Sequence, residues 1–241
     1  MGRVTFTSKP GYGQGIGTAA LWTIALAALA VSIVSGVRIV GTLSADGTSG
    51  PASVEERIID DALAAIQLDP NNVQARWQLS LALSTIGDHR RAKTEAENAI
   101  AIDSQSVESF YALGVAFRGL GDLERAEKSF VKAGSLPGSF GEIYREIYYD
   151  LGEIRMEDGR YAEAVEAFRG ALANGPEATY VVIALADAYL KAGDTERAIE
   201  EYLAVLSYDR DNVVAMQTLR DLGVSDAEIE AAKVVDAHPV Q

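Results

Sequence analysis

The chain has 241 residues, 21 Lys and Arg against 35 Asp and Glu, a formal net charge of −14 and no cysteine. Without cysteine there are no disulfides and no thiolate metal sites. The acidic balance repels nucleic acid and anionic headgroups and attracts basic partners, although plain solubility is an equally good reason for it.

The charge is unevenly placed. Residues 1–40 hold three bases, Arg3, Lys9 and Arg38, and no acid, so the remainder carries 18 bases against 35 acids, a net of −17. A flank over residues 1–16 includes Gly11-Tyr12-Gly13-Gln14-Gly15-Ile16, which has a superficial likeness to a phosphate loop. Its glycines fit neither register, no strand precedes it, and no Gly-Lys-Ser/Thr follows. Residues 10–37 contain no charged side chain. Their most apolar part, 18–37, has about the 20 residues that a bilayer-spanning helix needs, and Tyr12 and Trp22 lie near one end, where aromatic rings favour the interface. A transmembrane helix is expected over residues 17–40. Ala28, Ser32 and Gly36 recur every four residues and would line one face of it, where small side chains let another helix approach. The alternative is a cleaved signal peptide, since Ala28-Leu29-Ala30 is a small-x-small site. Cleavage there would leave the apolar terminus Val31-Ser32-Ile33-Val34, which argues against it. Arg3 and Lys9 before the span outweigh Arg38 after it, so the expected arrangement is a single-pass cell-membrane protein with a cytoplasmic N-terminus and an exported remainder.

Residues 41–52 are rich in Gly, Ser and Thr and read as a flexible tether. From residue 53 the helical signals begin. Ser53-Val54-Glu55-Glu56 is a capping-box start for a lone helix over 53–68, and Asp69-Pro70-Asn71-Asn72 stops it. Four turn glycines then follow, Gly87, Gly121, Gly159 and Gly193, spaced by 34, 38 and 34 residues, each with an alanine five residues on: Ala92, Ala126, Ala164 and Ala198. A fixed period of this size marks one supersecondary unit copied along the chain. The units are 73–106, 107–140, 145–178 and 179–212, with four extra residues between the second and third. Capping helices are expected over 213–237: a last stacked helix, 213–222, and a short one that Ser225-Asp226-Ala227-Glu228 starts and that runs to about Val235.

The recurring set resembles the tetratricopeptide repeat. The second unit carries it best, with Phe110, Leu113-Gly114, Phe117, Gly121-Asp122, Ala126, Phe130 and Ala133. The third has Tyr148, Leu151-Gly152, Gly159, Tyr161, Ala164, Phe168, Ala171 and Pro176; the fourth has Leu185, Tyr189, Gly193-Asp194, Ala198 and Tyr202. The first is weaker, with Leu79, Gly87-Asp88, Ala92, Ala96 and Ala99. The resemblance implies an all-α fold, a right-handed α-solenoid of helix–turn–helix units, here preceded by the transmembrane helix. It also implies that the first helix of each pair lines a concave groove. Carried onto this chain, that groove includes Trp77 and Leu81; Tyr111, Val115 and Arg118; Tyr149, Glu153, Met156 and Glu157; and Tyr180, Ile183 and Asp187. Chaperone-docking members of the family hold a terminal carboxylate there with lysines and asparagines. This chain offers aromatic rings and carboxylates, which suit a protein partner presenting an apolar or basic segment. The competing reading of Trp77, Tyr111 and Tyr149 is that they fill space between units.

Nothing points to catalysis. The two histidines, His89 and His238, are far apart and have no cysteine to join them in a zinc site, and no serine has a His/Asp context for a nucleophile. No enzyme activity, cofactor, metal, nucleic acid or small-molecule substrate is expected. The sequence reads as a membrane-anchored scaffold that binds a protein partner and assists a membrane or exported complex, of the kind serving cytochrome c maturation or the translocon. The alternatives are a permanent subunit of a membrane complex and, if the leader is cleaved, a secreted adaptor.

Overall fold

The computed structural model describes residues 53–137 and 141–234. The flank, the apolar segment over 17–40 with Ala28, Ser32 and Gly36, the tether, and residues 235–241 with His238 lie outside the described residues. Among the described residues no helix is long and apolar enough to cross a membrane, and no strand occurs.

Among the described residues eleven α-helices follow one another: α1 Val54–Leu68, α2 Val73–Thr85, α3 His89–Ile102, α4 Val107–Gly119, α5 Leu123–Ser135, α6 Glu142–Glu157, α7 Tyr161–Ala173, α8 Thr179–Ala192, α9 Thr195–Tyr208, α10 Val213–Asp221 and α11 Asp226–Ala232. Helices α2 to α9 form four hairpins, each first (A) helix packed on its second (B) helix, and each B helix packed on the next A helix. Helix α1 brings Ala62, with Ile59, Leu63 and Ile66, onto Leu79, Leu83 and Ala92 of the first hairpin. At the other end α10 and α11 bring Ala215, Leu219 and Ile229 onto Val182, Tyr202 and Leu206. An array unit cannot bury its apolar face alone, so these end helices close the stack.

Local chemistry sets the hairpins. Gly87, Gly121, Gly159 and Gly193 all lie at φ between 73° and 87°, the left-handed conformation that a Cβ disfavours. The residue after each donates its backbone N–H five residues back, as Asp88 does to the Leu83 carbonyl and Asp194 to that of Tyr189. This bond closes the helix end and reverses the chain. In three hairpins the following aspartate then caps the B helix: Asp88, Asp122 and Asp194 accept from the backbone N–H groups of Arg91, Arg125 and Arg197. The third hairpin reverses the charges. Arg160 stands where the aspartate would, and it pairs with Glu163 at 3.2 Å and with Glu127 of the preceding hairpin at 2.6 Å.

The alanines expected at close helix contacts, Ala92, Ala126, Ala164 and Ala198, are fully buried, as are Phe130 and Phe168. Helix α6 begins three residues before the repeat frame at Arg145, so part of the four-residue excess becomes an extra turn of helix. It has 16 residues where α4 has 13. Its start is tied to the previous hairpin by the Tyr144 hydroxyl, which donates to the Leu136 carbonyl at 2.8 Å. The final helix α11 carries a complete capping box: the Ser225 hydroxyl accepts from the Glu228 N–H while the Glu228 carboxylate accepts from the Ser225 N–H.

Candidate functional site

The A helices of the last three hairpins present one connected set of side chains. Arg118, near the end of α4, reaches across to α6. Its Nη1 donates to Asp150 Oδ1 at 2.5 Å, and its Nη2 lies 3.8 Å from Glu153 and 3.9 Å from Glu157. One guanidinium thus serves three carboxylates on successive turns of one helix face. One turn before Asp150, Glu146 accepts from the Tyr180 hydroxyl of α8 at 2.7 Å and from Arg145 Nε at 3.1 Å. Arg145 also donates to the Tyr180 hydroxyl at 2.9 Å, so the three groups close a ring between α6 and α8. Gly175 makes room for it, since a Cβ there would lie 2.8 Å from the Arg145 Cδ.

Two of these carboxylates are buried. Asp150 is 5% exposed and Glu146 6%. Burial pushes the Asp150 carboxyl up to about 7; Arg118 opposes that, and the neighbouring Glu146 and Glu153 add to it. Glu153 is also raised, by burial first, with Arg118 opposing and Glu157 and Asp187 adding. In both, burial is the largest cause, and the one guanidinium does not offset it together with the neighbouring carboxylates. Asp187, at an exposed position on α8, accepts from the Tyr202 hydroxyl.

The aromatic residues divide. Tyr149 and Tyr180 are half-buried and stack edge to face with centroids 5.0 Å apart, and Tyr149 also leans on Phe168 at 5.7 Å. Met156 packs against the same core cluster as these two rings. Tyr111 is different: it is 5% exposed, its ring lies 5.7 Å from Phe130, and its hydroxyl faces Asp150. It therefore closes the interior between α4 and α5 and offers no anchor at the surface. Leu81 is likewise buried, because α2 packs directly against α4. Trp77 on α2, Val115 on α4 and Ile183 on α8 are half-buried, and Glu157 is exposed. Of the twelve residues placed in the groove from sequence, Arg118, Glu153 and Glu157 meet as one charged group and Tyr149 and Tyr180 as an aromatic pair.

Three members of the set were missed by sequence reasoning: Arg145, Glu146 and Asp150. Asp150 occupies the frame position held by Gln78, Ala112 and Ala184 in the other units. A charge where small or neutral side chains recur was the signal that could have found it. His89, at the start of α3, packs against Gly119. Among the described residues no cluster of His, Asp and Glu could hold a metal ion.

Comparison with known proteins agrees with this architecture. Two family models, both described as tetratricopeptide repeat, match residues 78–139 and 155–222. Among solved structures, that of MamA protein is 23% identical, with a TM-score of 0.54 over 63% of this chain and 81% of that one. YrrB, described as a TPR protein with an unusual peptide-binding site, is 16% identical, with a TM-score of 0.58 over 72% and 89%. TTC0263 of Thermus thermophilus, described as a thermophilic TPR protein, is 18% identical, with a TM-score of 0.52 over 69% and 89%. At such identities the likeness speaks to fold. Comparison with curated proteins returned no match. Repeat spacing, paired helices and family models thus agree, and the chain carries tetratricopeptide repeats over residues 78–139 and 155–222.

Proposed function

We propose that this chain is a non-catalytic scaffold that captures a protein partner on its A-helix face, through a segment carrying basic side chains beside an apolar or aromatic one. The observation that carries the reading is the charge deficit at Arg118, one guanidinium against Asp150, Glu153 and Glu157, with exposed Asp187 nearby on α8. A partner's arginine or lysine would supply the missing charge. The half-buried Tyr149–Tyr180 pair would flank it, offering ring faces to a cation and apolar area to its neighbours. The peptide-binding description of YrrB adds support by analogy of fold alone. The experiment is capture by the full chain in mild detergent, compared with a Glu153→Lys/Asp187→Lys variant. Loss of the partner from the variant, with its helical content unchanged, supports the reading. Equal capture would move the binding surface elsewhere.

We further propose that the apolar stretch over residues 17–40 anchors the array in the cell membrane, with the repeats on the exported side. Its support is the uncharged length and the Arg3/Lys9 excess before it. Anchoring would raise the effective concentration of the groove toward membrane partners without any new contact. Alkaline carbonate should leave the chain in the membrane pellet, and protease added outside spheroplasts should digest it beyond Gly41. Release of a fragment lacking residues 1–30 would instead make it a secreted adaptor, and full protection would place the repeats in the cytoplasm.

A further inference from the structure

Helix α1 is half of a repeat. It meets α2 through Ile59, Ala62 and Ile66. These are the frame positions that Val165, Phe168 and Leu172 of the B helix α7 use in the core shared with Val181 and Leu185 of α8. Its end is also that of a B helix. The Asp69 N–H donates to the Ala65 carbonyl, as the Asp103 and Asp209 N–H groups do to those of Ala99 and Val205. Asn72 then caps the next helix as Ser106 and Asn212 do. What α1 lacks among the described residues is the A helix of its own hairpin. At the repeat period that helix would fall on residues 39–51, which hold three glycines, a proline and no base. Glycine and proline are the poorest helix formers. The side of α1 that would meet it is correspondingly open. In the four hairpins Ala92, Ala126, Ala164 and Ala198 are fully buried, and so are Ala99, Ala133, Ala171 and Val205. Their counterparts on α1, Ile58 and Ala65, are only half-buried, and Leu68, one turn on, is 90% exposed.

We propose that this side of α1 is a second binding surface, which takes an amphipathic helix of a partner protein in the place of the missing A helix, with an arginine or lysine of that helix on Asp61. The first hairpin supplies the pattern. Glu95 holds on α3 the frame position that Asp61 holds on α1, and the A helix α2 meets it with Arg76, whose Nη1 lies 2.7 Å from the carboxylate. Asp61 is exposed and has no counterpart of Arg76 among the described residues. Ile58, Asp61, Ala65 and Leu68 follow one another at steps of three, four and three residues, so they form one stripe along the helix, apolar around a single acid. Ile58 and Leu68 offer apolar area, and the small Ala65 lets another helix come close. Glu55, Asp60 and Asp69 add to the negative charge of α1 and its end, against Arg57 alone. That charge turns away anionic headgroups and a second copy of this acidic chain, and it favours a basic helix. The surface lies on an element that carries none of the groove residues, so it stands or falls apart from the reading of the A-helix face.

The array itself provides the probe. A fluorescein-labelled peptide with the sequence of residues 72–88, which spans α2 and carries Arg76, is held helical by a staple between positions 74 and 78. Its binding to the full chain in mild detergent is read by fluorescence anisotropy. The expected result is saturable binding that Asp61→Lys weakens by about tenfold or more, as for loss of an interfacial charge pair. A probe with Arg76→Glu should fail on the parent chain and bind the Asp61→Lys chain, an exchange of charges that general stickiness would not produce. Glu153→Lys with Asp187→Lys should leave binding unchanged, which separates this surface from the groove. Absence of saturable binding, as when residues 1–52 of the chain itself cover the stripe, would overturn the proposal. Equal binding to the parent and to Asp61→Lys, or loss of binding in the groove variant, would do so too. Self-association of the parent chain in sedimentation that Asp61→Lys abolishes would also overturn it, because the occupant would then be a second copy.

Discussion

Gly114 on α4 lies directly under the ring of Phe130 on α5: a Cβ at that position would sit 2.5 Å from the ring's Cε1, with Gly152 and Phe168 repeating the relationship one unit later. The glycine makes room for the aromatic ring, and the ring fills the interior of the hairpin. In the first unit the same two positions hold Ser80 and Ala96, and in the fourth Ala186 and Tyr202. The first position is thus small in all four units, and the second is an aromatic ring in three of them.

Gly114→Ala should destabilise the protein even though alanine is the better helix former by about 1 kcal/mol. Overpacking against a ring that is fully buried costs about 1–3 kcal/mol, which outweighs that gain. Urea denaturation should show a lower midpoint for Gly114→Ala and for Gly152→Ala, and a much larger loss for Phe130→Ala, about 3–5 kcal/mol.

Ser80→Ala should act in the opposite direction. The Ser80 hydroxyl is fully buried without a hydrogen-bond partner, and an unmet buried polar group costs about 1–3 kcal/mol. Removing it should raise the denaturation midpoint. A fall would show that the hydroxyl is engaged.

Periodicity made the repeat units, their turn glycines and their close-contact alanines legible, because each is a local requirement repeated in sequence. The groove was legible only in part. Position along a helix predicts which face a residue joins, but the depth of that face depends on the neighbouring unit. Leu81 and Tyr111 sank into the interior where α2, α4 and α5 close together, while Tyr149 and Tyr180 stayed half-buried. Asp150 escaped notice because a buried charge is sustained only by a long-range partner, here Arg118, 32 residues away. The reversed cap at Arg160 escaped for the same reason, since its partner Glu127 belongs to the preceding unit.

Glu127→Gln should weaken the same junction in a manner that depends on pH. Glu127 accepts from Arg160 at 2.6 Å and from Arg155 at 3.1 Å, and these bonds, Arg160's first, hold its carboxyl below the usual range. A lowered folded-state pKa gives stability that is present above the unfolded value and lost as pH falls through the folded one. The variant should lose about 1–3 kcal/mol at pH 7, as expected for hydrogen bonds to a charged group. The gap from the parent chain should begin to shrink as pH falls through the ordinary glutamate value of about 4.3 and close only below the lowered folded value, where both side chains are neutral.

Asp150 should behave in the reverse sense. Its raised carboxyl makes the ionised form unfavourable to folding, so the parent chain gains stability as pH falls from 8 towards 5. Asp150→Asn has no proton to take up, and its melting temperature relative to the parent should fall over the same interval. A difference that does not change with pH would mean that Asp150 is already protonated or titrates far from neutrality.

Tyr149→Ala should weaken capture of a basic segment by about 1–3 kcal/mol if the ring is an anchor, and Trp77→Ala should do so where the segment extends to the first unit. Glu153→Lys with Asp187→Lys should act mainly on the association rate, and the parent interaction should fade with added salt. Loss of helical content in Trp77→Ala would show instead that this half-buried ring supports the fold.

The claim that the A-helix face is where a protein partner binds is tested most directly by site-specific photocrosslinking of the full chain in the cells that express it. A benzophenone side chain is placed at the half-buried Met156, on the A helix α6 that also carries Tyr149, or at the exposed Glu166 on the B helix α7. The account predicts a discrete adduct from Met156 that disappears when Glu153 and Asp187 are replaced by lysine, and none from Glu166. An adduct from Glu166 with none from Met156 would contradict it and place the partner on the B-helix face.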